Sequence, residues 1–295
     1  MVKITGGTGF IGSHIVEYFQ ERGVDIQPVT RDIADLRDLN ALTKAFEGTD
    51  CVIHNAAKAC DWGKYKDFYE NNVIGTLNVL RACKTNNIKQ VIMTGSCSVY
   101  GEENCYEVKD ETSLPKSHYP YFLHKLFPCA MNYYRDTKQI AKDCAVSFAQ
   151  TENINLTVID PVWVYGEKEF NTGFYEYLKT AKNMPFIMGS KKNKFHVIYA
   201  KDLAKAYYLA YQANLQGTHT FIAGNTEARL MEEIYALFCK AAGFRKPRNL
   251  PKFIFYPLGF AMELVWTVFR AKNPPPLTRG RVNMFYDNIV ILIPD

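Results

Sequence analysis

Met1-Val2-Lys3-Ile4-Thr5-Gly6-Gly7-Thr8-Gly9-Phe10-Ile11-Gly12 opens the chain, and Ser13-His14-Ile15-Val16-Glu17-Tyr18-Phe19-Gln20 follows it. The run reads as a short apolar strand, a glycine-rich turn and a helix that stops at Gly23. The glycines have separate tasks. Gly6 permits the tight turn, Gly9 lets the backbone approach a pyrophosphate, and Gly12 lets the helix lie close on the strand. The phosphates would rest on the helix N-terminus, where free N–H groups and the macrodipole favour negative charge. A glycine spacing alone says little, but between a first strand and a first helix it marks a dinucleotide site. Gly6, Gly9, Phe10, Ile11 and Gly12 are therefore assigned to cofactor binding.

The pattern continues outward as strand and helix in alternation. Residues 24–30 read as a strand, 36–48 as a helix ending in glycine, 51–57 as an apolar strand running into small residues, and 71–87 as a long helix. Residues 90–96 read as a strand, and 129–150, which hold neither Gly nor Pro, as a helix. A strand over 156–166, ended by Pro161, completes the series. Such alternation implies a parallel sheet covered on both faces, and right-handed crossovers make it doubly wound. The expected fold class is α/β, a Rossmann-type sheet with a small C-terminal substrate lobe. The dinucleotide-binding domain is expected over 1–165 with 195–225 returning to it, and the lobe over 166–194 and 226–295.

Bulk properties narrow the function classes. The 295 residues carry a formal net charge of +5, with Lys and Arg scattered along the chain, so nucleic-acid binding is not indicated. The eight cysteines form neither a CxxC pair nor a metal-ligand spacing, so no metal site is expected. The chain starts directly in a strand, without a charged-then-apolar leader, and the thiols read as reduced in a cytoplasmic protein.

The chemistry is carried by Tyr134-Arg135-Asp136-Thr137-Lys138. Tyr and Lys four apart on a helix share one face. A free tyrosine titrates near 10, too high for proton exchange at neutral pH, and a lysine ammonium one turn away lowers that value. Tyr134 can then exchange a proton with a substrate oxygen while a hydride moves to or from a nicotinamide. Ser96, at the end of a strand, can hold the same oxygen. A rival pair, Tyr121 and Lys125, lies nearer Ser96, but Pro120 and Pro128 bracket it and leave barely one helical turn.

With these motifs the chain resembles the extended short-chain dehydrogenase/reductase superfamily over nearly its whole length. Asn55-Ala56-Ala57 resembles that superfamily's cofactor-lining turn after the fourth strand, and Asn72-Val73-Ile74-Gly75-Thr76 its asparagine helix. Ser96-Cys97-Ser98-Val99-Tyr100-Gly101 matches a serine–valine–tyrosine–glycine pattern that favours Ser96 over Ser98. The resemblance implies NAD or NADP as cofactor and a bond from Lys138 to the nicotinamide ribose. It implies cofactor contacts from Asn55, Ala56, Ala57, Asn72 and Pro161, and a homodimer built on helices like the one carrying Tyr134. Where relatives often carry arginine before Pro161, this chain has Asp160.

The stretch between the second and third strands departs from the superfamily. It is shorter than in relatives by about a dozen residues, in the unit that usually selects the cofactor. Arg31 would favour a 2′-phosphate, whereas Asp32 would suit the ribose of NAD or the adenine, and Ile33 lies beside them. Cofactor preference stays open.

Residues 54–83 and 273–283 resemble the 3β-hydroxysteroid dehydrogenase branch, and especially bacterial reductases of 2-alkyl-3-keto acids. That implies a lipophilic small-molecule substrate. In that branch the chain continues with another helical stretch beyond Asn288–Asp295. Phe253 to Phe269 is apolar but for Glu263 and has basic residues on both sides. At 17 residues, with Pro257 and Gly259, it suits a bilayer span poorly. It reads as a lid helix over an apolar pocket or as a peripheral membrane contact. Two other functions compete: a nucleotide-sugar epimerase or dehydratase using the same residues, and a non-catalytic dinucleotide sensor.

Overall fold

Aliphatic residues alternate along the expected strands, and that alternation divides the core into two halves. The computed structural model of the protein describes residues 1–101, 109–170 and 173–288. Its central sheet contains β1 (Val2–Thr5), β2 (Ile26–Val29), β3 (Cys51–His54), β4 (Gln90–Thr94), β5 (Asn155–Pro161) and β6 (Thr218–Ala223). All neighbours pair in parallel, in the order β6-β5-β4-β3-β1-β2. The longer α-helices are α1 (Phe10–Gln20), α2 (Leu39–Ala45), α3 (Gly75–Thr85), α4 (Ala130–Glu152), α5 (Gly173–Asn183), α6 (Ala200–Ala213), α7 (Met231–Ala241), α8 (Lys252–Val268) and α9 (Arg279–Tyr286).

Successive strand residues enter opposite clusters, as the two-residue period of a strand requires. Ile53, Ile92 and Ile159 pack with Ile15, Phe19, Leu203 and Tyr207, under α1 and α6. Val52, Val91 and Val158 pack with Leu42, Val79, Leu80, Ala141 and Ala145, under α2, α3 and α4. Each large aliphatic side chain buried this way contributes about 1.5–3 kcal/mol. The doubly wound α/β architecture read from the sequence is present.

Two local features differ from expectation. An open sheet of this kind usually has a strand beyond the second one. Here β2 is the edge among the described residues, turns occupy much of 30–38, and the chain crosses through α2 to β3 on the other side of β1. The Asn55-Ala56-Ala57 turn consequently follows the third strand of the sheet, not the fourth. Pro28 lies within β2, beside Ile4 of β1. A Cβ on Gly7 would come 3.0 Å from the Cβ of Pro28, so the proline packs directly under the glycine turn. The helix expected from Asn71 onward begins with a wider, π-type turn over Tyr69–Ile74 before α3 continues it. Such turns often occur at functional positions.

A third cluster joins α5, α7 and α9 through Phe174, Tyr177, Ile234, Tyr235 and Phe285. Tyr177 and Tyr235 stack at 3.6 Å, with their planes 8° apart. Cys105 and most of the Asn288–Asp295 stretch lie outside the described residues.

Candidate active site

The glycine turn leaves β1 at the point where the chain reverses its direction of travel across the sheet. Ligands bind there in open α/β sheets, in the crevice between two diverging loops. Gly6 has φ +69°, and a Cβ on it would lie 2.8 Å from the backbone of Ala56. At Gly12 a Cβ would fall 2.1 Å from the carbonyl oxygen of Gly6. Both positions admit only glycine. Gly9 is the N-cap of α1 and offers no side-chain cap, and the first turn holds no acidic residue. The N–H groups that open any helix lack intrahelical partners. With no side chain over them and space left at Gly9, these residues fit a dinucleotide pyrophosphate. Phe10 and Ile11, in that first turn, are half-buried.

Hydrogen bonds connect this turn to the residues expected to be catalytic. The Asn55 amide donates to the carbonyl of Gly6 at 3.3 Å, and the Thr94 hydroxyl donates to Asn55 Oδ1 at 2.9 Å. Lys138 Nζ donates to the carbonyl of Thr94 at 2.6 Å. The Ala56 N–H donates to Thr5 Oγ1 at 3.3 Å, while Ala57 is exposed. Asn72 is buried and works as a clamp. Its Oδ1 accepts from the Lys58 N–H at 2.7 Å, and its amide donates to Thr137 Oγ1 at 3.0 Å. The turn after β3 is thereby tied to α4 beside Lys138. Both ring nitrogens of His54 lie at hydrogen-bond distance from hydroxyls, Thr5 at 2.8 Å and Thr76 at 3.0 Å. Burial, assisted by Lys138, pushes its pKa down to about 3, so His54 is a neutral packed residue.

Tyr134 and Lys138 lie one turn apart on α4, with Tyr134 half-buried and Lys138 only 5% exposed. Burial lowers the lysine's pKa to about 8, opposed by the charge of Asp160. Ser96 begins two residues beyond Thr94, so the Lys138–Thr94 bond brings the helix and the serine to one end of β4. The Ser96 and Ser98 hydroxyls are 2.7 Å apart. The rival pair does not form a helix. Residues 122–126 are turns, Tyr121 is buried with its hydroxyl accepting from Arg135 at 3.1 Å, and Lys125 is exposed.

One buried group was only partly visible in the sequence. Asp160 is fully buried and accepts from the Ser96 N–H at 2.9 Å, the Tyr100 hydroxyl at 2.8 Å and Lys142 Nζ at 2.6 Å. A Cβ on Gly95 would lie 1.7 Å from Asp160 Oδ1, so the carboxylate occupies the space a side chain would take. The available signal was Lys142 itself, four residues beyond Lys138 and eight beyond Tyr134 on one helix face.

The opposite end of the crevice is open. Arg31 is 75% exposed on its side chain, 3.4 Å from Asp35 and 3.4 Å from Asn71 Oδ1. Asp32 and Ile33 are exposed as well, and all three follow the end of β2 beside the glycine turn. Pro161 ends β5, buried beside Ala223. No group of three or more His, Cys, Asp or Glu able to hold a metal occurs among the described residues.

A cavity of about 740 Å³ adjoins the N-terminal turn of α4. Ala130, one turn before Tyr134, and Tyr133 line it, together with Trp62, Phe127, Phe260 and Leu264. Lys58, Lys64, Arg270 and Lys272 add positive charge to its wall. The Trp62 indole N–H donates to the carbonyl of Ala271 at 3.1 Å, so this side chain both lines the cavity and ties its two sides together. The expected lid is α8, whose inner side meets the cavity at Phe260, Glu263 and Leu264.

The family described as NAD dependent epimerase/dehydratase matches residues 2–224. A 2-alkyl-3-oxoalkanoate reductase of Stenotrophomonas maltophilia is 27% identical, over 94% of this chain and 87% of its own length. The human sterol-4-alpha-carboxylate 3-dehydrogenase, decarboxylating, is 28% identical, over 70% of this chain and 56% of its own. The chain thus spans most of the bacterial reductase but little more than half of the sterol enzyme. Among solved structures, MoeE5 in complex with UDP-glucuronic acid and NAD superposes with a TM-score of 0.71 at 22% identity, over 84% of each chain. The UDP-glucuronic acid 4-epimerase from Bacillus cereus in complex with NAD gives 0.69 at 22%, over 84% of this chain and 86% of its own. At that identity the likeness concerns the fold.

Proposed function

Because the chain belongs to the NAD dependent epimerase/dehydratase family, whose members here include reductases, dehydrogenases and epimerases, we propose that it transfers a hydride between a nicotinamide dinucleotide and a hydroxyl or ketone of a lipophilic substrate. The observation that carries this reading is the aromatic-walled cavity one helical turn from Tyr134. A steroid-like or long-chain 3-keto compound suits it. The cations on its wall favour a substrate with an acidic head, the kind of compound for which the Stenotrophomonas reductase is named.

The residues have distinct tasks in this reading. Bound nicotinamide supplies or accepts the hydride. Gly6, Gly9 and Gly12 leave room for its diphosphate, and the start of α1 offsets the negative charge. Tyr134 gives its phenolic proton to the carbonyl oxygen in reduction and takes it from the alcohol in oxidation. The Lys138 cation makes the phenol more acidic and donates to the ribose next to the nicotinamide. Ser96 donates to the same substrate oxygen, and Asp160 fixes the serine by accepting its backbone N–H.

The test is turnover with NADH and NADPH against long-chain 2-alkyl-3-oxo acids and 3-ketosteroids, with uridine diphosphate sugars as a second arm. Oxidation of reduced cofactor by a lipophilic ketone is expected. Conversion of a nucleotide sugar, with every ketone inert, overturns the reading in favour of an epimerase. Dinucleotide binding without any turnover makes the chain a sensor.

A further inference from the structure

Helix α8 is built inside out. Its buried residues are Gly259 and Glu263, while apolar side chains point to solvent. Ile254, Leu258, Ala261, Val265 and Val268 recur at helical spacing and are all exposed. They form one stripe on the side opposite Glu263. Val268 is 67% exposed, and Phe269, just past the helix, 79%. The loop beside α8 extends this surface with Phe122 at 57% and Leu126 at 72% exposure. Phe122 packs edge-on to Phe260, with ring centroids 5.5 Å apart, and its N–H donates to the Tyr256 hydroxyl.

The inward glutamate explains why the helix sits this way up. Glu263 pairs with buried Arg279, and its Oε1 accepts the Arg279 backbone N–H at 2.7 Å. Arg279 also donates to the carbonyls of Phe122 and Phe127, fastening the exposed loop to the helix. A buried ion pair of this kind is held by its internal partners. Rotating α8 to hide the stripe would carry Glu263 away and leave the Arg279 guanidinium, held on α9, buried without its charge partner. The apolar face is therefore fixed outward. An exposed apolar surface of this extent marks an interaction site.

Charge identifies the partner. Residues 245–281 hold eight Lys or Arg and one acid, Glu263, so the rest of the chain carries a small net negative charge. Exposed Arg245 and Arg248 precede α8, and exposed Arg270 and Lys272 follow it. The helix is about 25 Å long at 1.5 Å per residue, with positive charge beyond each end. No described helix is long and apolar enough to cross a membrane. An apolar stripe bounded by cations fits the headgroup boundary of an anionic bilayer, where the helix lies flat.

We propose that α8 and the Phe122–Leu126 loop dock this protein on an anionic membrane surface, with the cavity beneath the docked helix. Binding to lipid is read without turnover, so this inference stands or falls apart from the substrate reading.

The experiment is co-sedimentation of the full chain with phosphatidylcholine vesicles, with and without phosphatidylglycerol, at low and high salt. Binding to the anionic vesicles is expected, with loss of at least tenfold in affinity on removing phosphatidylglycerol or raising salt. Leu258→Glu with Val265→Glu, on the exposed stripe, should abolish sedimentation while leaving the circular dichroism spectrum and melting temperature of the parent. Arg248→Glu should weaken it severalfold. Binding that ignores these substitutions, or absence of binding to either vesicle, overturns the proposal. So does concentration-dependent dimerisation of the parent that the Leu258→Glu and Val265→Glu pair abolishes, which would assign the stripe to a second copy of the chain.

Discussion

The two ends of the glycine crevice are built to different standards. At the β2 end, Arg31, Asp32 and Ile33 project from turns into solvent, with the arginine side chain 75% exposed. At the β4 end, Ser96, Lys138 and Asp160 are 7%, 5% and 0% exposed and belong to continuous hydrogen-bond networks. Among the described residues no strand lies beyond β2 to shelter the first end, whereas β4, β5 and α4 enclose the second. The difference teaches which part of a dinucleotide site requires rigidity. Holding the far end of a cofactor needs modest contacts, whereas proton transfer needs groups fixed to within fractions of an ångström.

The largest effect that would break this comparison concerns the turn that carries Tyr134 and Lys138. Lys138→Met should lower turnover by about 10²–10⁴-fold and dinucleotide affinity by a smaller factor, through the one lost ribose bond, measured by steady-state kinetics and a binding titration. Equal losses in both would mean that the lysine mainly builds the site.

Next in size is the buried carboxylate. Asp160→Asn leaves the Lys142 ammonium without its charge partner, and loss of one member of a buried pair costs about 3–5 kcal/mol. Denaturant unfolding should register that cost, and adding Lys142→Met should recover part of it. An unchanged unfolding midpoint for Asp160→Asn would show that the network adds nothing to stability.

The pH dependence sharpens the contrast. Burial holds the Lys138 pKa at about 8, below its ordinary 10.5. As pH rises through about 8 the lysine loses its charge, the phenol becomes harder to ionise, and kcat/KM should fall. Stability should move the other way. The unfolded chain binds the Lys138 proton more tightly than the folded one, so folding becomes more favourable as pH climbs from about 8 toward 10.5. Lys138→Met should flatten this stability rise, and a rise that survives the substitution would assign it to another group.

The smallest effects belong at the open end. Arg31→Ala should weaken NADP binding about tenfold or less, since an exposed charge contact is worth about 1 kcal/mol or under, and leave NAD unchanged. Asp32→Ala should do the reverse. Titration of both variants with both dinucleotides also gives the cofactor preference directly, and hundredfold losses would mean that this end is more ordered in the complex than its exposure suggests.

How much could be read beforehand followed the range of the interactions. The glycine turn, the Tyr134–Lys138 pair and the strand–helix alternation depend on neighbours a few residues apart, and they were legible. The shortened crossover after Val29 was visible as a missing length of chain. The Asp160–Lys142 pair joins residues 18 apart through the fold, and its dependence on the missing side chain of Gly95 follows from three-dimensional proximity alone. The orientation of α8 was hidden for a different reason. Its composition fits a lid or a membrane contact equally well, and only the Glu263–Arg279 pair decides which side faces in. The wide turn at Tyr69–Ile74 left no sequence signal at all, because it changes which carbonyl each N–H meets without changing residue preference.

Pro28 bears on how molecules of this protein meet one another. A sheet that lacks its outer strand presents a bare margin, and such margins recruit strands from other copies and grow into polymers. A proline supplies no N–H for that purpose, and within a sheet it belongs at such a margin. Pro28 stands in a four-residue strand and packs under the glycine turn, so the residue that supports this turn also leaves the β2 strand one backbone donor short.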